Sequence, residues 1–217
     1  MQMDPGQSDK PLIVGIGGTT RPGSSSERVL RGALREVELL GGRTEIFAGL
    51  DLAFPIFAPE DSQRHPGALK LIASLRACDG IIVASPGYHG SMSGLIKNAL
   101  DYTEDMVSDP SPYFDGRPFG CIACAYGWQA TGSTLAALRS VAHALRAWPT
   151  PLGIAVNSMN KIFDASGRCT DETLSANLKL MARQIMWFVG NSRRPAQYPA
   201  DPPRLHAGVG QANAAVG

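Results

Sequence analysis

Short apolar runs recur along this chain, each closed by a glycine- or serine-rich loop and followed by helical periodicity, and that alternation leaves few folds open. Leu12-Ile13-Val14-Gly15-Ile16 passes into Gly17-Gly18-Thr19-Thr20-Arg21-Pro22-Gly23-Ser24-Ser25-Ser26. Ile81-Ile82-Val83-Ala84 passes into Ser85-Pro86-Gly87-Tyr88-His89-Gly90-Ser91. A strand of four or five apolar residues without polar alternation suits burial on both faces, as in a parallel sheet covered by helices.

The remaining elements obey the same rule. A helix is expected from about Ser26 to Leu40, with Val29, Leu30, Ala33, Leu34, Val37 and Leu40 on one stripe, ended by Gly41-Gly42. Thr44 to Ala48 reads as a second strand, followed by a loop through Pro55, Pro59 and Pro66 and a helix from Ala68 to Ala77. Asp79-Gly80 reads as a turn into the third strand, residues 81–84, and a helix is expected from Ser93 to Met106. A fourth strand at 119–125 precedes a helix over Thr131–Arg146, whose stripe is Leu135, Leu138, Val141, Ala142 and Leu145. Trp148-Pro149 breaks that helix, Leu152 to Val156 forms a fifth strand, and Asp171 to Val189 a closing helix. The expected organisation is a flexible amino-terminal segment at 1–10, one doubly wound α/β domain over 11–190, and a Pro/Ala/Gly-rich tail over 191–217. In a sheet of order 2-1-3-4-5, ligands bind beyond the carboxyl ends of the strands, where the order reverses between the first and third. Both informative loops come directly after those two strands.

Bulk properties exclude several functions. The 217 residues carry a formal net charge of +1 with no dense Lys/Arg stripe, which argues against nucleic acid or an anionic membrane as partner. No apolar stretch reaches the roughly 20 residues of a membrane span. Met1 to Lys10 lacks the apolar core of a secretory signal, so a cytoplasmic location is expected. Four cysteines do not make a disulfide framework in a chain of this length. Cys121-Ile122-Ala123-Cys124 has a redox or metal spacing but falls in a strand, where residues three apart point to opposite faces; core packing is expected. His65, His143 and His206 stand apart, and no metal site is expected.

The first loop fails two familiar phosphate motifs. A dinucleotide fingerprint counted from Gly15 meets Thr20 where its last glycine belongs. Gly18 and Gly23 have P-loop spacing, but Ser24 stands where a lysine is needed. What remains is Thr19, Thr20, Arg21, Ser24, Ser25 and Ser26 at a helix start. A terminal phosphate there meets free amides and the helix dipole, worth about 0.3–1 kcal/mol, and Arg21 offers a bidentate contact. Ser24-Ser25-Ser26-Glu27 also fits a capping box, which needs no ligand but uses only one of the five hydroxyls.

In the second loop, Pro86, Gly87 and Gly90 give a stiff turn that backbone can approach closely, while Tyr88 and His89 can border a planar ring. A plain strand-to-helix turn with a surface aromatic explains the same residues. The stretch Tyr126-Gly127-Trp128-Gln129-Ala130-Thr131-Gly132-Ser133 falls where a third ligand loop belongs, with Gly127 freeing backbone amides and Trp128 as a shield. There is no triad or pair of carboxylates suited to acid–base work, which fits chemistry carried by a cofactor.

Gly18-Thr-Thr-Arg-Pro-Gly-Ser-Ser-Ser26 resembles the Gly-Ser-x-Arg-x-x-Ser phosphate loop of NAD(P)H-dependent FMN reductases. Pro86-Gly-Tyr-His-Gly-Ser-Met-Ser-Gly-Leu-Ile-Lys-Asn-Ala-Leu-Asp-Tyr102 resembles their Pro-x-Tyr-x-x-x-x-x-Gly-x-Leu-Lys-Asn-Ala-Ile-Asp-Trp segment. The likeness covers residues 11–190. It implies a flavodoxin-like five-stranded parallel sheet, order 2-1-3-4-5, with helices on both faces, bound FMN, NADPH or NADH as co-substrate, and a homodimer or homotetramer. It also implies phosphate contacts from Thr19, Arg21, Ser24 and Ser26, with Ser25 beside them, and ring contacts from Pro86, Gly87, Tyr88, His89 and Gly90. Gly127 is expected at the ring's pyrimidine side. His89 stands where Asn is common, Thr19 replaces the usual Ser, and the third loop lacks the fuller glycine run. The expected reaction is hydride transfer from nicotinamide to FMN and on to a small-molecule acceptor or a flavin-dependent monooxygenase partner. The alternatives are a quinone or azo-compound reductase, an electron-carrier flavodoxin, and a binding module with the tail as docking arm. The near-neutral charge speaks against the carrier, which relies on an acidic face for steering.

Overall fold

The computed structural model of the chain describes residues 10–159, 162–164 and 169–192. Of the two expected terminal segments, all but Lys10, Asn191 and Ser192 lie outside the described residues. In chain order the elements are β1 (Leu12–Gly17), α1 (Ser25–Leu39), β2 (Arg43–Ala48), α2 (Pro66–Ala77), β3 (Gly80–Tyr88), β4 (Ser91–Met92) and α3 (Gly94–Asp101). They continue with β5 (Pro118–Ala125), α4 (Trp128–Ala144), β6 (Trp148–Pro149), β7 (Ile154–Asn157) and α5 (Glu172–Ser192).

The strands β2-β1-β3-β5 lie parallel, and β6 and β7 both pair in parallel with β5 at the far edge. This is the order 2-1-3-4-5 with its fifth strand in two pieces. Alternate side chains feed two cores, as the period of two requires. Val14, Ile16, Ile81, Val83, Phe119 and Cys121 pack with α2, α3 and α4 on one face. Ile13, Ile82, Ala84, Ile122 and Cys124 pack with α1 and α5 on the other. Cys121 and Cys124 therefore bury their thiols on opposite faces of β5.

Several boundaries differ from the sequence reading. Trp148-Pro149 does not end the preceding helix; α4 ends at Ala144, the chain turns through Arg146 at φ +60°, and Trp148 joins the sheet by donating its N–H to Arg117 O at 2.8 Å. Leu40, expected on the α1 stripe, is the helix C-cap and is 45% exposed. The helix expected over Ser93–Met106 is α3 followed by a 3₁₀ turn from Tyr102 to Met106. Asn191 and Ser192, assigned to the tail, complete α5.

Candidate functional site

The amino end of α1 is organised from within its own loop. Ser24 is the N-cap, its Oγ accepting the Glu27 N–H at 3.4 Å. Glu27 reaches back one residue further than a standard capping box, accepting the Gly23 N–H at 2.9 Å while Arg31 pairs with its other oxygen at 2.9 Å. Thr19 Oγ1 accepts the Arg21 N–H at 3.2 Å and closes a small turn. Ser24 Oγ and Ser26 Oγ lie 3.4 Å apart, both buried. The cap thus uses Ser24, and the turn uses Thr19. The Ser25 hydroxyl, the Arg21 guanidinium and the first-turn amides, which have no intrahelical acceptor, remain to meet an anion.

The segment after the third strand is not a loop. β3 continues through Pro86, Gly87 and Tyr88 and folds back on β4, pairing Gly87 with Met92 and Tyr88 with Ser91. His89 (φ +50°) and Gly90 (φ +87°) form the two-residue turn, where both positions need positive φ and His is one of the few residues tolerated beside Gly. Ser85 Oγ accepts the Ser93 N–H at 3.0 Å and ties the hairpin to the start of α3. The stretch read as a third loop shortens to Tyr126-Gly127, because α4 begins at Trp128 rather than Thr131. Gly127 caps α4 with φ +108° and ψ 151°, a conformation that belongs almost solely to glycine. Its N–H donates to Asn157 Oδ1 at 3.4 Å.

These strand ends enclose one open depression. Thr19, Arg21, Ser24, Ser25 and Ser26 form one wall, and Pro86, Gly87 and Tyr88 face them. His89 and Gly90 stand at the hairpin tip and do not line it, and Gly127 lies just beyond its Tyr126 rim. Cys124, Ala125, Tyr126 and Ser158 complete the lining. Sequence reading left Ser158 out, although it comes just after the last strand at the same sheet end, and counted Cys124 as packing alone. Burial pushes the Cys124 thiol up to about 12, so the sulfur lining the depression stays protonated and neutral near pH 7.

The donor set fits a flavin mononucleotide. Amides, a hydroxyl and one guanidinium converge where a phosphate dianion needs donors, and a flat wall of Pro86-Gly87-Tyr88 stands opposite, with Tyr88 exposed.

The second half of the motif segment serves a different purpose. Asn98 Oδ1 accepts the Phe57 N–H at 2.8 Å, Asn98 Nδ2 donates to Pro55 O at 3.0 Å, and Tyr102 OH donates to the same carbonyl at 3.0 Å. Arg64 forks onto Asp105 through two 2.8 Å contacts and lies 4.8 Å from the Phe57 ring centroid. These residues clamp the proline-rich connection between β2 and α2.

A parallel sheet in this order with a phosphate-suited depression at its strand ends defines a flavodoxin-like α/β protein. Residues 11–161 match the NADPH-dependent FMN reductase family, and the chain belongs to it. It is accordingly a flavin oxidoreductase that takes FMN with a reduced nicotinamide as co-substrate. An NAD(P)H-dependent FMN reductase of Pseudomonas aeruginosa is 27% identical over 199 residues, covering 86% of this chain and 99% of its own. An FMN-dependent NADPH-azoreductase of Staphylococcus aureus is 33% identical over 118 residues, covering 54% of this chain and 59% of its own. Among solved structures, the flavoenzyme NAD(P)H:(acceptor) oxidoreductase FerB of Paracoccus denitrificans superposes with a TM-score of 0.64 at 19% identity, over 84% of this chain and 98% of its own.

Proposed function

We propose that this protein uses NADPH or NADH to reduce FMN held across the carboxyl ends of β1, β3 and β5, and delivers the electrons to a small diffusible acceptor. The observation that carries this reading is the convergence of Arg21, Ser25 and the α1 amino end on the depression that Pro86, Gly87 and Tyr88 face. When bound, FMN supplies the hydride-accepting ring. The chain's own part is to bind and orient. Arg21, Ser25 and the first-turn amides grip the phosphate end, Thr19, Ser24 and Ser26 shape the loop that presents them, and Pro86, Gly87 and Tyr88 lie against the ring. The His89-Gly90 turn holds Tyr88 in place from outside the depression, and backbone amides at the start of α4, which Gly127 caps just beyond the rim, stabilise negative charge on the ring. The likeness to an azoreductase supports an azo compound as acceptor; a quinone, and free FMN passed to a flavin-dependent monooxygenase, are the other acceptors the proposal admits. A cytoplasmic homodimer or homotetramer is part of the same proposal.

Mixing the purified chain with NADPH and excess FMN should bleach the nicotinamide absorbance band at a rate proportional to protein. No bleaching with either NADPH or NADH overturns the reading. Repeating the assay with a quinone and an azo dye at catalytic FMN identifies the acceptor by which rate exceeds that with FMN alone.

A further inference from the structure

At the opposite end of the sheet, near the starts of β5 and β6, lies a second concavity of about 450 Å³, a size within the roughly 300–1,000 Å³ range of small-ligand sites. Its walls are Pro118, Trp148, Pro149 and Pro151 on one side and Trp187 and Phe188 on the other. The Trp148 and Phe188 ring centroids lie 5.9 Å apart with the planes tilted by 40°, so the two rings splay rather than stack flat on each other. Trp148 is 61% exposed and Trp187 70% exposed. Indoles open to water beside proline rings are stiff, flat surfaces that a planar aromatic group covers with little loss of side-chain freedom.

The walls are tied in place by the chain's own hydrogen bonds. The Trp148 N–H donates to Arg117 O at 2.8 Å. Arg139 donates to Thr150 O at 2.8 Å and to Pro151 O at 2.9 Å. Gln184 Oε1 accepts the Leu152 N–H at 3.1 Å and fastens the proline wall to α5, while Thr150 Oγ1 donates to Leu152 O at 2.7 Å. Thr150 and Gln184 are thus spent on the groove's own construction. Arg183 is not. It stands one turn before Trp187 on the same face of α5, lines the groove, and makes no ion pair with any described residue. No carboxylate is among the residues that line the groove. A preformed aromatic slot with one uncommitted guanidinium suits a flat ring bearing a carboxylate or sulfonate, which the guanidinium meets with two parallel N–H bonds.

We infer that this groove binds a small planar aromatic anion, its ring against Trp148 and Trp187 and its acid group on Arg183, at the sheet end remote from the cofactor depression. The test titrates the full-length, FMN-saturated protein with naphthoate and follows the indole N–H signals of nitrogen-15-labelled chain, in which Trp128 reports on the cofactor end. The Trp148 and Trp187 signals should shift along one saturable curve while that of Trp128 stays in place, and the FMN-free protein should give the same curve. Naphthamide, the neutral counterpart, should bind about tenfold more weakly for want of the charge-assisted contact. Arg183→Gln, a change at an exposed position, should bring naphthoate down to the affinity of naphthamide and leave that of naphthamide unchanged. The absence of a saturable shift at Trp148 and Trp187 overturns the inference, as does a shift at Trp128 of equal size. Equal affinities for the two probes, or full naphthoate affinity in Arg183→Gln, also overturn it, since the groove would then take apolar rings without regard to charge.

Discussion

Arg21 makes no ion pair with any described residue and sits on an exposed loop, so its substitution separates binding from folding. Arg21→Ala should remove one charge-assisted contact worth about 1.5–3 kcal/mol, which is roughly 10- to 150-fold in FMN dissociation constant. Flavin-fluorescence titration measures that loss, and the urea midpoint of the apoprotein should stay unchanged. Gly127 calls for the converse experiment. A side chain there meets no atom within 4 Å, so Gly127→Ala strains backbone alone. It should destabilise the apoprotein by about 1–3 kcal/mol, read as a lower urea midpoint. Arg21 and Ser24 were legible in the sequence because hydroxyls beside an arginine at a helix start carry their own physical reason. Ser158 was not, because nothing local marks a serine that reaches the depression only through sheet pairing.

The strand–helix alternation was legible because each strand is a continuous apolar run and each helix has a stripe. The hairpin of β3 and β4 was hidden by Pro86, which argues against a central strand. Beyond Ala84, however, β3 has outlasted β1, which ends at Gly17, and keeps β5 as its parallel neighbour on one side only. Proline is tolerated on such an edge-like stretch, and Pro86 pairs with Cys124. The segment around Asn98 was legible as a motif but not as a clamp, since its partners Pro55 and Phe57 lie some forty residues away. Asn98→Ala should release that connection. Hydrogen exchange at the Phe57 amide should accelerate about tenfold for the loss of one bond of about 1–1.5 kcal/mol, while amides in β1 and β3 keep their protection.

For the molecule as a whole, its buried thiols set a limit on the alkaline side. Burial pushes Cys78 up to about 11 and both Cys121 and Cys124 up to about 12, with the Arg117 guanidinium 3.8 Å from Cys78 Sγ opposing part of the first rise. In the unfolded chain these thiols ionise near 9. Below that pH both states hold their protons and the contribution to stability is whole. As pH climbs from about 9 toward the folded values, the unfolded chain sheds its protons first, and stability is lost by up to about 4 kcal/mol per pH unit from these three groups. Urea midpoints measured from pH 8 to 11 should fall steeply above 9 and more gently in the Cys121→Ala/Cys124→Ala double variant. The broken far border of the sheet bears on crowding of another kind. Pro149 and Pro151 interrupt the rim between β6 and β7, so that side offers no unbroken row of amides on which a stranger's chain could template. Crowded copies are thereby denied one route to fibrils.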